Sequence, residues 1–149
     1  MKNKRLFRGR AAVVLLVEDS DDDIELTRIG FEQADFAVEL QVVLDGEQCL
    51  DYLRKQNAYA SSPTPDLILL DLHMPRMGGL EVLDAIHSDA NLCHLPVVVL
   101  TTSSSEREIK EAYQRHCSGY LIKPVGFVDF VKTVQTLEDY WFGLVALPK

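Results

Sequence analysis

Three uninterrupted apolar runs constrain the fold of this 149-residue chain more than any other feature. They cover residues 13–17, 67–70 and 97–100 and consist only of Val, Leu and Ile. Each run is too short for a typical helix, and such runs are typical of strands buried on both faces of a parallel sheet. Residues 39–44 and 120–122 form two weaker runs with the same preference. The sequence therefore predicts five strands, of which the first, third and fourth are central.

Helical segments separate these runs. The pattern Ser20-x-x-Asp23 caps a helix that is predicted to reach about residue 34, and Ser105-x-x-Glu108 caps a later one. Three further helices are predicted, at residues 46–54, after the pair at 78–79 and after residue 126. Strands that alternate with helices predict an α/β fold with a parallel sheet and right-handed crossovers. Residues 56–65 are rich in Ser and Pro and are expected to form an exposed insertion.

The length suits one domain, but charge is unevenly distributed along the chain. Five of the 15 basic residues lie in the first ten positions, while the other 139 residues carry ten basic and 23 acidic side chains. A body this acidic disfavours direct DNA binding, because it repels the phosphate backbone. We expect residues 1–10 to be a flexible basic arm, residues 11–139 the folded domain, and residues 140–149 an aromatic tail.

Other classes of protein are excluded by composition. The longest apolar run has seven residues, far short of the roughly 20 that a membrane span needs. The three cysteines are an odd number without C-x-x-C spacing, which favours reduced thiols over a disulfide framework or a zinc site. No secretory signal precedes the domain, so a cytoplasmic location is expected.

Polar residues follow four of the predicted strands: Glu18 and Asp19, Asp71, Thr101, and Lys123. Carboxyl ends of parallel strands share one edge of the sheet, where ligands bind, so these side chains should converge. Neighbouring carboxylates repel one another, and a hard cation such as Mg²⁺ relieves that repulsion. Together with a lysine, such a site would receive a phosphoryl group, and a carboxylate there could attack phosphorus.

Helix capping is the alternative explanation for acids at strand ends. It accounts for Asp21 and Asp22, but not for Asp71, since no helix is predicted until after Gly79.

The motifs V-E-D at 17–19, L-D-L-H-M-P-R-M-G-G at 70–79, L-T-T at 100–102 and Y-L-I-K-P at 120–124 resemble the receiver domain of two-component response regulators. The resemblance extends over roughly residues 13–137. It implies a flavodoxin-like (βα)5 doubly wound sheet with strand order 2-1-3-4-5. It also implies that Asp71 is the phosphoacceptor.

The same resemblance implies roles for the other site residues. Asp19 would bind Mg²⁺ directly, Glu18 would hold it through water, and Asp71 and the carbonyl of His73 would complete the protein ligands. Family members often carry Asn where this chain has His73, a side chain expected to be exposed beside the path of the attacking water.

The remaining roles concern the phosphoryl group. Lys123 would bind the phosphate, and its bond to Pro124 is expected to be cis, as in the family. Thr101 would be the switch hydroxyl and Tyr120 the switch aromatic.

Two further segments, residues 59–65 and 137–148, resemble single-domain regulators that accompany bacterial, chiefly cyanobacterial, phytochromes. That resemblance implies a sensor histidine kinase as partner, phytochrome-linked in the first instance. Because a helix cannot bury three consecutive aromatic residues on one face, Tyr140, Trp141 and Phe142 predict a homodimer through the last helix and tail. The alternative is that Trp141 covers the sheet edge of its own domain.

Only 26 residues follow Lys123, so we expect no DNA-binding or catalytic output domain. The chain should signal by a surface change and should not be an enzyme beyond its own phosphorylation and slow dephosphorylation. A phosphotransferase or phosphatase would need a second Asp at position 73. A pseudo-receiver, a purely binding module, would have lost part of the site.

Overall fold

Five parallel strands form one sheet in the order β2-β1-β3-β4-β5. They are observed in a computed structural model that describes residues 3–147. The strands are β1 (Ala12–Val17), β2 (Val38–Val43), β3 (Leu67–Leu70), β4 (Val97–Thr101) and β5 (Gly119–Ile122). The helices are α1 (Asp21–Glu32), α2 (Gly46–Leu53), α3 (Gly79–Ser88), α4 (Glu106–Gln114) and α5 (Phe127–Gly143). The predicted flavodoxin-like fold and strand order are confirmed.

The core lies on both faces of the sheet because side chains along a strand point alternately to its two faces. On β3, Ile68 and Leu70 face α2, α3 and α4, whereas Leu67 and Leu69 face α1 and α5. All four of these side chains are fully buried. The uninterrupted apolar runs of β1, β3 and β4 are thus explained by burial on two sides, while β2 and β5 are the less buried edge strands.

Local signals in the sequence position the helices. The side chains of Ser20 and Ser105 accept hydrogen bonds from the backbone N–H three residues later, as the cap patterns predict. Gly79, at the start of α3, passes so close to the acceptor loop that a Cβ there would lie 2.6 Å from the carbonyl oxygen of Asp71. Ahead of α5, Gly126 has φ of +102°, a conformation that favours glycine.

The basic segment is packed against the domain from residue 4 onward, which corrects the expectation of a flexible arm. Phe7 is buried and its ring lies 5.0 Å from that of Phe142, while Arg5 forms an isolated parallel bridge with Phe36. Arg10 forms an ion pair with Asp66, with an N–O distance of 2.8 Å. The segment stays in place because its apolar and cationic groups have partners on several elements of the domain.

The aromatic residues near the C-terminus continue α5 and do not begin a separate tail. Trp141 and Phe142 are buried against the core, whereas Tyr140 and Leu144 are 54% and 80% exposed. Trp141 therefore packs within its own domain, while Tyr140 and Leu144 remain on the surface. Pro148 and Lys149 lie outside the described residues.

Most of the insertion at 56–65 is exposed, as expected, but one side of it packs on the domain. It contains a short 3-10 turn (Asn57–Tyr59), and Tyr59 packs on Tyr52, whose hydroxyl donates to the carbonyl of Pro63. Within residues 3–147, no helix combines the length and apolar character needed to cross a membrane.

Candidate functional site

Three carboxyl groups meet at the carboxyl edge of the sheet. Glu18 and Asp19 follow β1 and Asp71 follows β3, and one oxygen from each lies within 4.8 Å of the others. The sheet itself holds two of them in place, because the backbone N–H of Asp71 donates to Val17 and that of Glu18 to Val43. Glu18 and Asp71 are buried, while Asp19 is exposed.

The electrostatics of this cluster favour a cation. The pKa of Glu18 is raised to about 7: burial raises it most, the hydrogen bond from Lys123 lowers it, and the charge of the nearby Asp71 raises it. Oxygen donors from carboxylates are the ligands that Mg²⁺ and other hard divalent cations take, so the donor set fits such an ion. The carbonyl of His73 as a further ligand stays a prediction.

The side chain of Lys123 contacts three carboxylates, one directly after β1, one on α1 and one directly after β3. Its Nζ donates to Glu18, to Asp23 Oδ2 at 2.8 Å and to Asp71 Oδ2 at 3.5 Å. Burial lowers the pKa of Lys123, but the hydrogen bonds to Asp23 and Glu18 outweigh that effect and raise it. The ammonium group is therefore charged and lies beside the predicted acceptor.

Thr101 ends β4 and is fully buried. Its carbonyl accepts a hydrogen bond of 2.7 Å from the backbone N–H of Lys123, which ties the ends of β4 and β5 together. Its hydroxyl lies 3.5 Å from the backbone nitrogen of Ser103. Tyr120 is partly buried on β5, and its hydroxyl donates to the carbonyl of Ser103 at 2.9 Å. Both predicted switch residues thus contact one segment, the loop between β4 and α4.

His73 extends away from the acceptor toward α4. Its backbone N–H donates to Asp71 Oδ1 at 3.4 Å, while its imidazole Nε2 lies 3.1 Å from Glu108. The hydroxyl of Ser103 also donates to Glu108, and both contacts lower the pKa of that carboxyl group. The side chain of His73 is 59% exposed, in agreement with the predicted exposed loop position.

Two features of the site were not predicted from the sequence, and one prediction was wrong. Asp23 was assigned only to the helix cap, where the relevant group is its backbone N–H, and its ion pair with Lys123 was not predicted. The contacts of Glu108 were not predicted either. The Lys123–Pro124 bond, expected to be cis, is trans, and no cis peptide bond occurs in the described part of the chain; trans is the preferred isomer of an X–Pro bond in the absence of a constraint.

Comparison with known proteins agrees with this geometry. The model of the response regulator receiver domain family matches residues 14–135. Response regulator Rcp1 of Synechocystis is 40% identical over 136 residues, which cover 91% of this chain and 92% of Rcp1. The probable methanogenesis regulatory protein FilR2 of Methanothrix harundinacea is also 40% identical, over 131 residues that cover 88% of this chain and 84% of FilR2.

Solved structures give the same result. The phosphorylated cyanobacterial phytochrome response regulator RcpA superposes with a TM-score of 0.89 at 37% identity, and the Mn²⁺-bound form of Rcp1 with 0.87 at 40% identity. Each comparison covers 93% of this chain and 99% of the other. The family match over most of the chain, these relatives and the shared topology together lead to one conclusion: this chain belongs to the response regulator receiver domain family.

Proposed function

We propose that this receiver accepts a phosphoryl group from a histidine kinase on Asp71 in a Mg²⁺-dependent reaction. The observation that carries the proposal is the position of Asp71, between the acidic pair Glu18 and Asp19 and the ammonium group of Lys123. An Asp71 oxygen bonds to phosphorus, the phosphorus–nitrogen bond of the kinase's phosphohistidine breaks, and the leaving imidazole keeps the electron pair and takes up a proton. Water later adds to phosphorus, releasing inorganic phosphate and restoring the carboxylate.

The residues around Asp71 have two functions, metal binding and phosphate binding. Asp19, Asp71 and the carbonyl of His73 would hold a Mg²⁺ ion directly, and Glu18 would hold it through water. The ion would supply positive charge that offsets the carboxylates and the phosphoryl oxygens. Lys123 pairs with a phosphoryl oxygen and stabilises charge on the transferred group. Because the receiver modifies only itself, it turns over no external substrate.

Phosphorylation changes the surface through Thr101 and Tyr120. A phosphoryl oxygen accepts a hydrogen bond from the Thr101 hydroxyl and draws the end of β4 toward Asp71. Tyr120 contacts the next part of that loop, at Ser103, so its ring moves into the space that Thr101 leaves. Two discrete arrangements of the loop between β4 and α4 are then biased by one charged group.

A direct test uses labelled acetyl phosphate with and without Mg²⁺. We expect one alkali-labile phosphoryl group per chain, formed only with Mg²⁺ and absent from Asp71→Asn. Asp22→Asn is the matched control, because Asp22 is exposed beside the site and should label normally. Equal labelling of Asp71→Asn and the native chain would exclude Asp71 as the acceptor.

We further propose a phytochrome-linked histidine kinase as the phosphodonor, in the cytoplasm. Supporting this are the similarity to Rcp1 and RcpA over nearly the whole chain and the free thiols of Cys49, Cys93 and Cys117. FilR2 has the same identity and another described role, so the kinase needs its own experiment. Phosphotransfer should be faster from phytochrome kinases than from other histidine kinases of the same cell; equal or slower transfer would contradict the assignment.

We also propose a symmetric homodimer through α5 and the tail that follows it. Val125 is 97% exposed and Val128 73%, and a groove of about 540 Å³ along the same helix ends at Tyr140. Leu144, directly after α5, is 80% exposed. Exposed apolar side chains at both ends of one helix favour association, because a partner surface can remove them from water.

Sedimentation of the full chain, with and without phosphorylation, tests the dimer. Leu144→Ser should lower the dimer fraction, while Leu44→Ser, the same change at an exposed leucine after β2, should not. Low salt should also favour dissociation, because repulsion between acidic chains is then less screened. A native chain that is monomeric in both states at high concentration would overturn the proposal.

A further inference from the structure

The ammonium group of Lys123 is shared among three carboxylates, and the predicted acceptor is the most distant of them. Its Nζ lies 3.5 Å from Asp71 but 2.8 Å from Asp23, with Glu18 also in direct contact. In this state of the protein, Lys123 is therefore held on the β1 and α1 side of the site. A phosphoryl group on Asp71 has to draw the ammonium group away from one or both of these partners.

Asp23 differs from Glu18 in one respect that matters for this competition. Glu18 belongs to the acidic cluster that fits a cation, whereas Asp23 lies outside it. A bound metal ion would therefore interact with Glu18 but not with Asp23. When the metal site is filled, Asp23 therefore still competes with the phosphoryl group for the Lys123 ammonium group.

The Asp23 carboxylate takes no part in the hydrogen bonds of the helix cap, and it shares its place near the positive end of the α1 dipole with Asp21 and Asp22. The helix cap uses its backbone N–H, which donates to Ser20, and its carbonyl accepts from Thr27. Among residues 3–147, the side chain pairs with Lys123 alone. It is also only 26% exposed, so solvent screens this pair less than a surface ion pair.

We propose that Asp23 is a positioning residue that holds Lys123 away from the acceptor and so lowers the affinity of the site for a phosphoryl group. The inference rests on the proposed function and adds to it a residue that sets the balance between the two states. A site without the Asp23 charge should bind a phosphoryl group more tightly, because Lys123 would not have to give up its ion pair with Asp23.

Beryllofluoride, a stable analogue of the phosphoryl group, measures this affinity without turnover. It is titrated at saturating Mg²⁺ and followed by fluorine NMR on the native chain, Asp23→Asn and Asp22→Asn. Asp23→Asn keeps the shape of the side chain and the helix cap, and we expect it to bind about tenfold more tightly, as for the loss of one charge-assisted hydrogen bond. Asp22→Asn removes the same charge from the same helical turn without a contact to Lys123, and should bind like the native chain.

A nitrogen NMR signal from the Lys123 ammonium group provides a readout that a merely structural role would not change. In the free protein, this signal should shift in Asp23→Asn and stay in place in Asp22→Asn. Asp23→Ala repeats both measurements should the Asn side chain retain part of the contact.

The outcomes separate the two proposals. A native chain that binds no beryllofluoride with Mg²⁺ contradicts the proposed function itself. Native binding with an unchanged or weaker affinity in both Asp23 variants overturns the role of Asp23 alone. Equal tightening in Asp22→Asn also overturns it, because a general charge effect would then explain the result.

Discussion

A buried carboxyl group on α5 makes the stability of this domain depend on pH in a way that one substitution should remove. Glu138 is fully buried, and its Oε1 accepts a hydrogen bond of 2.7 Å from the backbone N–H of Phe36. Its other oxygen, Oε2, has no hydrogen-bond partner within the described residues. The pKa of Glu138 is raised to about 7: burial raises it most, the Phe36 N–H partly offsets this, and the neighbouring Asp139 and Asp35 raise it.

The sign of the effect follows from where the proton is bound. An unfolded chain gives this group an ordinary pKa of 4.5, against about 7 in the folded protein. Between these values the folded state of Glu138 binds more protons than the unfolded state, so the free energy of unfolding falls as pH rises. The contribution is complete below the unfolded pKa and lost above the folded one, and its size is on the order of 3 kcal/mol.

Glu138→Gln tests this reasoning, because the amide oxygen can still accept from Phe36 but the side chain cannot ionise. Urea unfolding of the native chain between about pH 5 and about pH 8 should show a loss of stability that is smaller in Glu138→Gln by on the order of 3 kcal/mol. Glu18 also has a pKa raised to about 7, but it is present in both proteins and cancels in the comparison. Glu81→Gln, at an exposed site on α3, should keep the native pH dependence. Identical pH dependence in the native chain and Glu138→Gln would refute the account of the buried charge.

Three further substitutions test other parts of the structure. Phe7→Ala should lower the free energy of unfolding by about 3 kcal/mol in a urea titration, because Phe7 is buried. Leu6→Ala should have little effect, because Leu6 is 58% exposed in the same segment. Equal effects would mean that the segment is not packed. Gly79→Ala should lower the free energy of unfolding by at least about 2 kcal/mol, because its Cβ would lie 2.6 Å from the carbonyl oxygen of Asp71. Gly78→Ala should be tolerated, because its Cβ would meet nothing closer than 3.5 Å. Calorimetry that finds neither substitution destabilising would contradict the close approach at Gly79. Thr101→Ala should still be labelled by acetyl phosphate but lose the phosphorylation-dependent change in partner affinity, and full retention of that change would separate Thr101 from the switch.

The sheet was predictable because its signal is local. The runs at 67–70 and 97–100 are apolar without interruption, which only burial on two faces explains, and the strands observed there agree with the predicted ones to within a residue. The side chains after β1, β3, β4 and β5 were found for the same reason, since topology alone brings strand ends to one edge.

Contacts between residues distant in sequence were not predictable in this way. The five basic residues near the N-terminus suggest a solvated arm, and nothing near Phe7 in the sequence indicates that its partner is Phe142. Asp23 has a sufficient local explanation in the helix cap, so its second role with Lys123, 100 residues away, is hidden. The position of Asp23 could have indicated this role, because the first turn of α1 directly follows the end of β1, where the site lies.

The most direct test of the central claim is the chemical location of the phosphoryl group. The chain is phosphorylated by a histidine kinase in the presence of Mg²⁺, treated with borohydride, which reduces an aspartyl phosphate to homoserine, and mapped by peptide mass spectrometry. We predict homoserine at position 71 and at no other acidic position, and none without Mg²⁺ or without the kinase. Reduction at Asp19 or Asp23 with Asp71 intact, or a phosphoryl group found on His73, would contradict the account.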